Sequence, residues 1–295
     1  MKEMSKTFKL KYRADFVGNE RDNVVSIWIA KPVNSNTQHV EKFLISKKPT
    51  KQYSDKNGNV ILYFELKNET KYFIEFYLEV TLKKQLDKIQ INLDQCFDRK
   101  STQNKSFIKS EKYLQQSDDL RSLAQKISGE EKSGEKIIEK IFKFVMRNFS
   151  YKYPVKNRGV ENMDFKKLEG DCAEYASFFV ALNRSLKIPS QNRTGFVVFP
   201  ENNKIVEHGW ASVCCGDNGW LDFDPQYASL EKDWKKYFAK TSDYRIVFTK
   251  NFNIPLKFYR DAEGIEIIKM SAQTLQPIAF ISKNKIRFKH KIQII

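Results

Sequence analysis

Cys172 sits directly after Gly170-Asp171 and opens the stretch GDCAEYASFFVALNRSLKIPSQNRTGF, residues 170 to 196. The pattern predicts a helix capped by Asp171, with Ala173, Ala176, Phe179, Val180 and Asn183 along one side. Leu182 and Leu186 widen the apolar surface, and Ile188-Pro189 stops the helix. Cys172 then occupies the first turn, where unpaired main-chain N–H groups and the positive end of the helix dipole favour a thiolate. Helix starts are among the environments that make a cysteine nucleophilic. The same N–H groups can donate to a developing oxyanion. Gly170 allows close approach of a substrate carbonyl to the sulfur. The plain alternative for a cysteine here is a small buried packing residue.

A cysteine nucleophile needs a base, and elimination points to one. Of three histidines, His39 lies among N-terminal strands and His290 lies near the C-terminus. Only His208 shares a region with Cys172. It starts the strand HGWASVCC, which a turn at Gly216-Asp217-Asn218-Gly219 returns as WLDFDP. The returning strand carries Asp222 and Asp224 and stops at Pro225. A carboxylate there would fix the imidazole tautomer and stabilise its charged form. His208 and Asp224 must face one side of the sheet, which requires paired residue numbers with an even sum and hence an odd-length loop. Asp224 is the favoured partner; Asp222 shares its face, nearer the turn, and ranks second. Taken singly, each of these polar residues reads better as the surface of a hairpin; it is Cys, His and Asp in this order, each in a suitable local setting, that favours the functional reading.

The elements that must position them fall into two regions. Five segments between residues 7 and about 95, FKLKYRADF, VVSIWIAKP, VEKFLIS, NVILYFEL and KYFIEFYLEVTLK, are strand-like and suggest an antiparallel sandwich. In the last, Ile74, Phe76, Leu78 and Val80 form the clean apolar face. DRKSTQNKS reads as a linker. Ser117-Asp118-Asp119 starts a helix that Gly129 ends, and Ile137, Ile138, Ile141, Phe142 and Val145 mark a stronger second helix. After the Cys172 helix come three strands, RTGFVVFP, HGWASVCC and WLDFD. Helices followed by an antiparallel sheet make an α+β arrangement. The expected organisation is an all-β sandwich over residues 1–105 and a catalytic region over 106–295. YRIVFTKNF is expected to complete the catalytic sheet; GIEIIKM and NKIRFKHKIQII also read as strands, and the last could pack against either region.

With 41% apolar residues, 23 Phe and 13 Tyr, the 295-residue chain has material for a sizeable core. The net charge of +16 favours acidic partners. The basic residues are scattered as singles and pairs, however, which fits a solvated surface, and no nucleic-acid motif is present. The opening MKEMSKTFKLKYRADF has no apolar core of signal-peptide length. No apolar run approaches the ~20 residues of a bilayer span. Cys96, Cys172, Cys214 and Cys215 are few for the length, and the adjacent pair 214 and 215 is poorly placed to bridge itself without strain, so all four are expected to be free thiols in a reducing, cytoplasmic setting.

GDCAEYASFFVALNRSLKIPSQNRTGF, HGWASV and GWLDFDP together resemble the transglutaminase-like superfamily over roughly residues 135 to 228. The shared pattern is a Gly-Asp/Glu-Cys helix start, an Ala-Leu-x-Arg continuation to Ile-Pro, a His-x-Trp strand and an Asp-Pro strand end. FKFVMRNFSYKYP is similar to the helix and aromatic turn ahead of the cysteine in bacterial members. KPVNSNTQHVEKFLIS and SDKNGNVILYFEL resemble, more loosely, the β-sandwich domain that precedes many bacterial and archaeal cores. The resemblance implies a papain-like core with Cys172 as nucleophile, His208 as general base and acid, and Asp224 as orienting acid. It implies packing roles near the site for Trp210 and Trp220, and leaves a second oxyanion donor open, with Tyr151 as one candidate. Gly209 stands where Ala is common, and Lys187 stands where the helix-ending Gly is usual.

Such a core implies attack of the thiol on an amide or ester and passage through a thioester. Water resolves it in a peptidase or amide hydrolase; an amine resolves it in a cross-linking transglutaminase. The chain has no Asp-x-Asp-x-Asp-Gly loop and no Cys-x-x-Cys pair, so no metal or other cofactor is expected. Metal-free hydrolysis of a peptide or protein amide is the favoured expectation. The rivals are cross-linking, a non-enzymatic scaffold using the sandwich and basic surface, and nucleic-acid binding. The substrate cleft is expected from the loops at 152–168 and 199–206.

Overall fold

The computed structural model describes residues 5–18, 24–67, 70–83, 91, 96, 102–216, 219–240, 244–260 and 265–295. In chain order the first six strands are β1 (Ser5–Gly18), β2 (Val25–Lys31), β3 (Gln38–Ile45), β4 (Lys51–Ser54), β5 (Val60–Leu66) and β6 (Lys71–Lys83). Helices α1 (Asp118–Ser128) and α2 (Gly134–Asn148) follow, then β7 (Ser150–Tyr151), β8 (Glu169–Gly170) and α3 (Cys172–Ser185). The chain continues through β9 (Ser190–Phe199), β10 (Lys204–Cys214), β11 (Trp220–Phe223), α4 (Pro225–Glu231), α5 (Trp234–Tyr237) and β12 (Arg245–Lys250). It ends in β13 (Ile254–Arg260), β14 (Ile265–Ala272), β15 (Ile278–Ser282) and β16 (Ile286–Ile294). The fold is α+β, and the N-terminal region is β-rich with antiparallel sheets.

Local chemistry accounts for most of these boundaries. In β6, Ile74, Phe76, Leu78 and Val80 are buried while Phe73 is exposed, the period-two pattern of a strand with one wet face. The Ser117 side chain accepts from the Leu120 N–H at the start of α1, and Gly129 closes it with a positive φ of 57°. Helix α3 ends at Ser185, about one helical turn before Pro189. Lys187, at φ 65°, occupies the left-handed conformation that glycine adopts more cheaply.

The two chain ends close the sandwich together. One sheet runs β16-β1-β6-β3 and the other β15-β2-β5-β4. The last two strands thus pair with the first two, with Phe16 opposite Phe288 and Ile29 opposite Ile278. β13 and β14 form a separate two-stranded ribbon. The turn residues 217 and 218, and residues 98–101 of the proposed linker, lie outside the described residues, while the rest of that linker falls in a 3-10 helix, Thr102–Ile108.

A third sheet, β11-β10-β9-β12, stands between the sandwich and the helices; β12 completes it as the sequence predicts. Phe196, Val198, Ile246 and Phe248 pack into the sandwich core, while Ala211, Val213, Leu221 and Phe223 join the helical core around Phe142, Phe178 and Phe179. Each such fully buried side chain contributes about 1.5–3 kcal/mol. Gln38 seals the junction: its amide accepts from Val247 N–H at 2.7 Å and donates to Val247 C=O at 3.0 Å, standing in for a missing strand at the β12 bulge. Gly195 has no alternative there, since a Cβ would lie 1.9 Å from the Ile246 carbonyl oxygen.

The cysteines differ from expectation. Cys96 and Cys214 form a disulfide with Cα atoms 6.0 Å apart. Adjacent Cys214 and Cys215 cannot bridge each other readily, but a residue 118 positions away in sequence can reach Cys214 at the end of β10. Only Cys172 and Cys215 are free. The premise of four reduced thiols, on which the reducing compartment rested, therefore does not hold.

Candidate active site

Three elements converge on one point. Helix α3 begins at Cys172 with Asp171 as its cap, whose Oδ1 accepts from the Ala173 N–H at 3.0 Å. The cap consumes that N–H and leaves the Cys172 N–H at the open end of the helix. Strand β10 carries His208, which is buried at 3% exposure. The β10–β11 register pairs Ala211 with Phe223 and Ser212 with Asp222, an even sum. The loop 215–219 has the odd length that this parity requires, and extending the register sets Asp224 opposite Trp210, on His208's face.

Asp224 is shared three ways. Its Oδ2 lies 2.8 Å from His208 Nε2 and accepts from Arg245 Nη2 at 2.6 Å; its Oδ1 accepts from the Tyr227 N–H at 3.0 Å, capping α4. Pro225 at the first helical position has no N–H to leave unpaired, which is why Asp-Pro suits this corner. Burial alone would raise the Asp224 pKa, but His208 and Arg245 hold it well below the usual carboxylate range. Burial pulls the His208 pKa down, yet the charge and hydrogen bond of Asp224, with those of Cys172, push it up to about 9. Cys172 is thus near enough to act on the ring. Tyr227 meets that ring edge-on at a centroid distance of 4.6 Å, and Trp210 lies parallel at 6.1 Å.

The second-ranked carboxylate has another partner: Asp222 accepts from Arg193 Nη1 at 2.9 Å. His39 is exposed beside Glu41, and His290 Nδ1 contacts the Tyr12 hydroxyl at 3.1 Å in the sandwich. Trp210 packs at the site, but Trp220 does not. It pairs with Cys214 at the far end of the hairpin and meets Phe107 edge-on. Gly170 also has a different reason from substrate access, since a Cβ would fall 2.4 Å from the Glu174 Cβ. Tyr151, on β7, is 59% exposed.

Sequence reasoning missed the ionic collar beside Cys172. Arg158 Nη1 donates to Glu174 Oε2 at 2.8 Å and Asp171 Oδ1 at 3.2 Å, and its Nη2 donates to Asp171 Oδ2 at 2.6 Å. Gln273 accepts from Arg158 at 3.1 Å and donates to Glu174 Oε1 at 2.8 Å. Burial and the neighbouring Asp171 push Glu174 up to about 7. Arg158 lies in an irregular segment and Gln273 is 99 residues from Glu174, so no periodic signal could have joined them. Arg245 was equally invisible as one arginine in an apolar strand.

A cavity of about 410 Å³ opens at Cys172, walled by Tyr113, Arg158, Asp171, Ala173 and the C-terminal segment 272–278. The loop at 199–206 instead borders a cavity of about 220 Å³ that touches Asp224, Tyr227 and Arg245 but not Cys172. A substrate must meet the sulfur, so the first cavity is the reaction cleft in any thiol chemistry. Among the described residues, no group of three or more His, Cys, Asp or Glu could hold a metal ion, and no helix is long and apolar enough to cross a membrane.

Residues 121–225 match the family model of the transglutaminase-like superfamily. The fold is similar to that of a protein from Cytophaga hutchinsonii described as a candidate cysteine protease, with a TM-score of 0.64 over 99% of this chain and 93% of that one, at 14% identity. A likeness at a TM-score of 0.40, too low to carry argument, joins 76% of this chain to 92% of the periplasmic domain of TgpA from Pseudomonas aeruginosa bound to ethylmercury, at 15% identity. No curated protein matches the sequence.

Proposed function

We propose that the protein, whose residues 121–225 match the family model of the transglutaminase-like superfamily, is a thiol-dependent acyl-transfer enzyme. It acts on peptide or protein amides through Cys172, His208 and Asp224, as a cysteine peptidase or amide hydrolase. The observation that carries this reading is the buried His208–Asp224 pair, 2.8 Å apart, beside a cysteine that opens on a cavity.

In this mechanism the Cys172 thiol gives its proton to His208, the thiolate sulfur adds to the substrate carbonyl, and the carbonyl π pair moves onto oxygen. The oxyanion collapses, the C–N bond breaks, and His208 gives its proton to the departing amine. Asp224, held ionised by Arg245, keeps the ring oriented and stabilises the imidazolium. His208 then takes a proton from water as its oxygen adds to the thioester; collapse breaks the C–S bond, releases the acid and returns Cys172 as the thiolate beside the protonated ring. The Cys96–Cys214 bridge supports work in an oxidising compartment in place of the cytoplasmic location expected from the sequence.

The test is labelling with a thiol-reactive acyl probe followed by mass spectrometry. Acylation of Cys172, absent in His208→Ala and resolved to free acid by water, is the expected result. Transfer of the acyl group to an added amine in preference to water would point to cross-linking. Equal labelling of Cys215, whose thiol burial pushes up to about 12, would defeat the assignment.

A further inference from the structure

The tetrahedral intermediate needs a second hydrogen-bond donor besides the Cys172 N–H, because the neighbouring Ala173 N–H is held by Asp171. The C-terminal segment supplies a candidate that sequence reading did not identify. Gln276 lines the Cys172 cavity, and its Nε2 is shut from solvent with no hydrogen-bond partner. A buried amide donor is normally paired. An ideal Cβ on Gly209 would lie 3.2 Å from that nitrogen and 3.9 Å from the Ala173 Cα. The amide therefore rests where the strand just past His208 meets the helix just past Cys172.

The segment around it is fixed on both sides. Gln273 uses both ends of its amide, on Arg158, Glu174 and Ser177. The buried Leu275 accepts on its carbonyl from Thr194 Oγ1 at 3.3 Å and Thr249 Oγ1 at 3.2 Å. Beside these satisfied neighbours, Gln276 keeps at the cavity wall a buried amide donor without a partner. A donor already shut from bulk water beside a partly closed site needs little solvent reorganisation as charge develops. Tyr151 is not among the residues lining the cavity.

We propose that the Gln276 side-chain amide donates, with the Cys172 N–H, to the oxyanion of the acyl-transfer intermediate. This rests on the acyl-transfer reading above. As sulfur bonds to the carbonyl carbon, the displaced π pair forms the oxyanion that Gln276 meets; collapse restores the C=O and expels the leaving group. Gly209 leaves the room that the amide needs.

The test compares two reactions of Cys172 in the full chain. Acetylation by p-nitrophenyl acetate passes through an oxyanion and releases p-nitrophenolate, whereas alkylation by iodoacetamide displaces iodide and forms none. Gln276→Met, which keeps length and volume, is expected to lower the acetylation-to-alkylation rate ratio about 10²-fold, with alkylation itself little changed and Tyr151→Phe without effect. If Gln276→Met does not fold, Gly209→Ala, which presses on the nitrogen, is expected to lower the same ratio. An unchanged ratio, a parallel fall of both rates, or a fall in Tyr151→Phe alone overturns the role of Gln276. A wild-type Cys172 inert to both reagents takes down the acyl-transfer reading itself, and Gln276 with it.

Discussion

Asp224→Asn removes the charge that opposes burial at His208. In the native protein the ring is fully enclosed, and its pKa still rises from 6.5 to about 9. That rise corresponds to roughly 3 kcal/mol in favour of the imidazolium. The opposing effect of burial means that Asp224 and Cys172 together supply more than this net figure. With the carboxylate neutralised, burial dominates and the His208 pKa is expected to drop below the ordinary 6.5. The sign for stability follows: a folded value above the unfolded one means stabilisation complete below pH 6.5 and lost as pH rises towards about 9. Asp224→Asn reverses that dependence: a folded value below 6.5 costs stability as pH falls through 6.5. The assay is a proton NMR titration of the imidazole C–H signals, simplified by there being three histidines. Iodoacetamide alkylation at pH 7.5 should fall with it, on the order of 10²-fold, if the charged ring sustains the thiolate. A variant ring that still titrates above about 8, or a native ring that titrates near 6.5, would refute the reasoning.

Glu207 is a second pH probe. Burial pushes its carboxyl from 4.5 up to about 7, so the folded state pays nothing below pH 4.5 and is progressively destabilised up to pH 7. Glu207→Gln is expected to raise Tm at pH 8 but not at pH 4, by an amount equivalent to about 2–3 kcal/mol; equal shifts at both values would contradict this. Arg184 is fully buried and donates to Ser190 C=O, Lys109 C=O, Glu111 and Asn251. Arg184→Met is expected to cost about 3–5 kcal/mol in urea unfolding, and a loss below about 1 kcal/mol would show the clasp to be dispensable. Cys96→Ser opens a loop closed over 118 residues and should lower stability by about 4–5 kcal/mol. Non-reducing peptide mapping should recover the Cys96–Cys214 pair from the native protein.

Local structure was legible because local chemistry sets it. The alternation in β6 and the Ser117 and Asp171 caps follow from backbone geometry within a few residues. The sequence could state the odd loop length that would bring Asp224 to His208's face, but the turn read from it, Gly216 to Gly219, is one residue short of the 215–219 connection. What sequence did not carry was partner choice over distance. β15 and β16 have ordinary strand patterns, and nothing local says that they pair with β2 and β1. The same holds for Cys96 and Cys214, and for Gln273 and Gln276, whose polar side chains look like surface residues until the chain lays them beside α3. Arg184 and Arg193 sit in the family-like stretch. Their work, clasping main-chain carbonyls and Asp222, emerges only from packing. Of the two expected cleft loops, 152–168 reaches the Cys172 cavity through Arg158 and 199–206 borders the cavity beside Asp224, while the remaining wall comes from 272–278, which no local pattern announces.

The central claim is that sulfur, imidazole and carboxylate act as one unit. The most direct measurement is the rate of iodoacetamide modification at neutral pH, resolved by residue, in the native protein, His208→Ala and Asp224→Asn. The account predicts rapid and selective alkylation of Cys172 in the native chain and a fall to the rate of an ordinary thiol in His208→Ala, with the fold intact by circular dichroism. Native Cys172 reacting no faster than an ordinary thiol, or His208→Ala reacting as fast as the native chain, would contradict it.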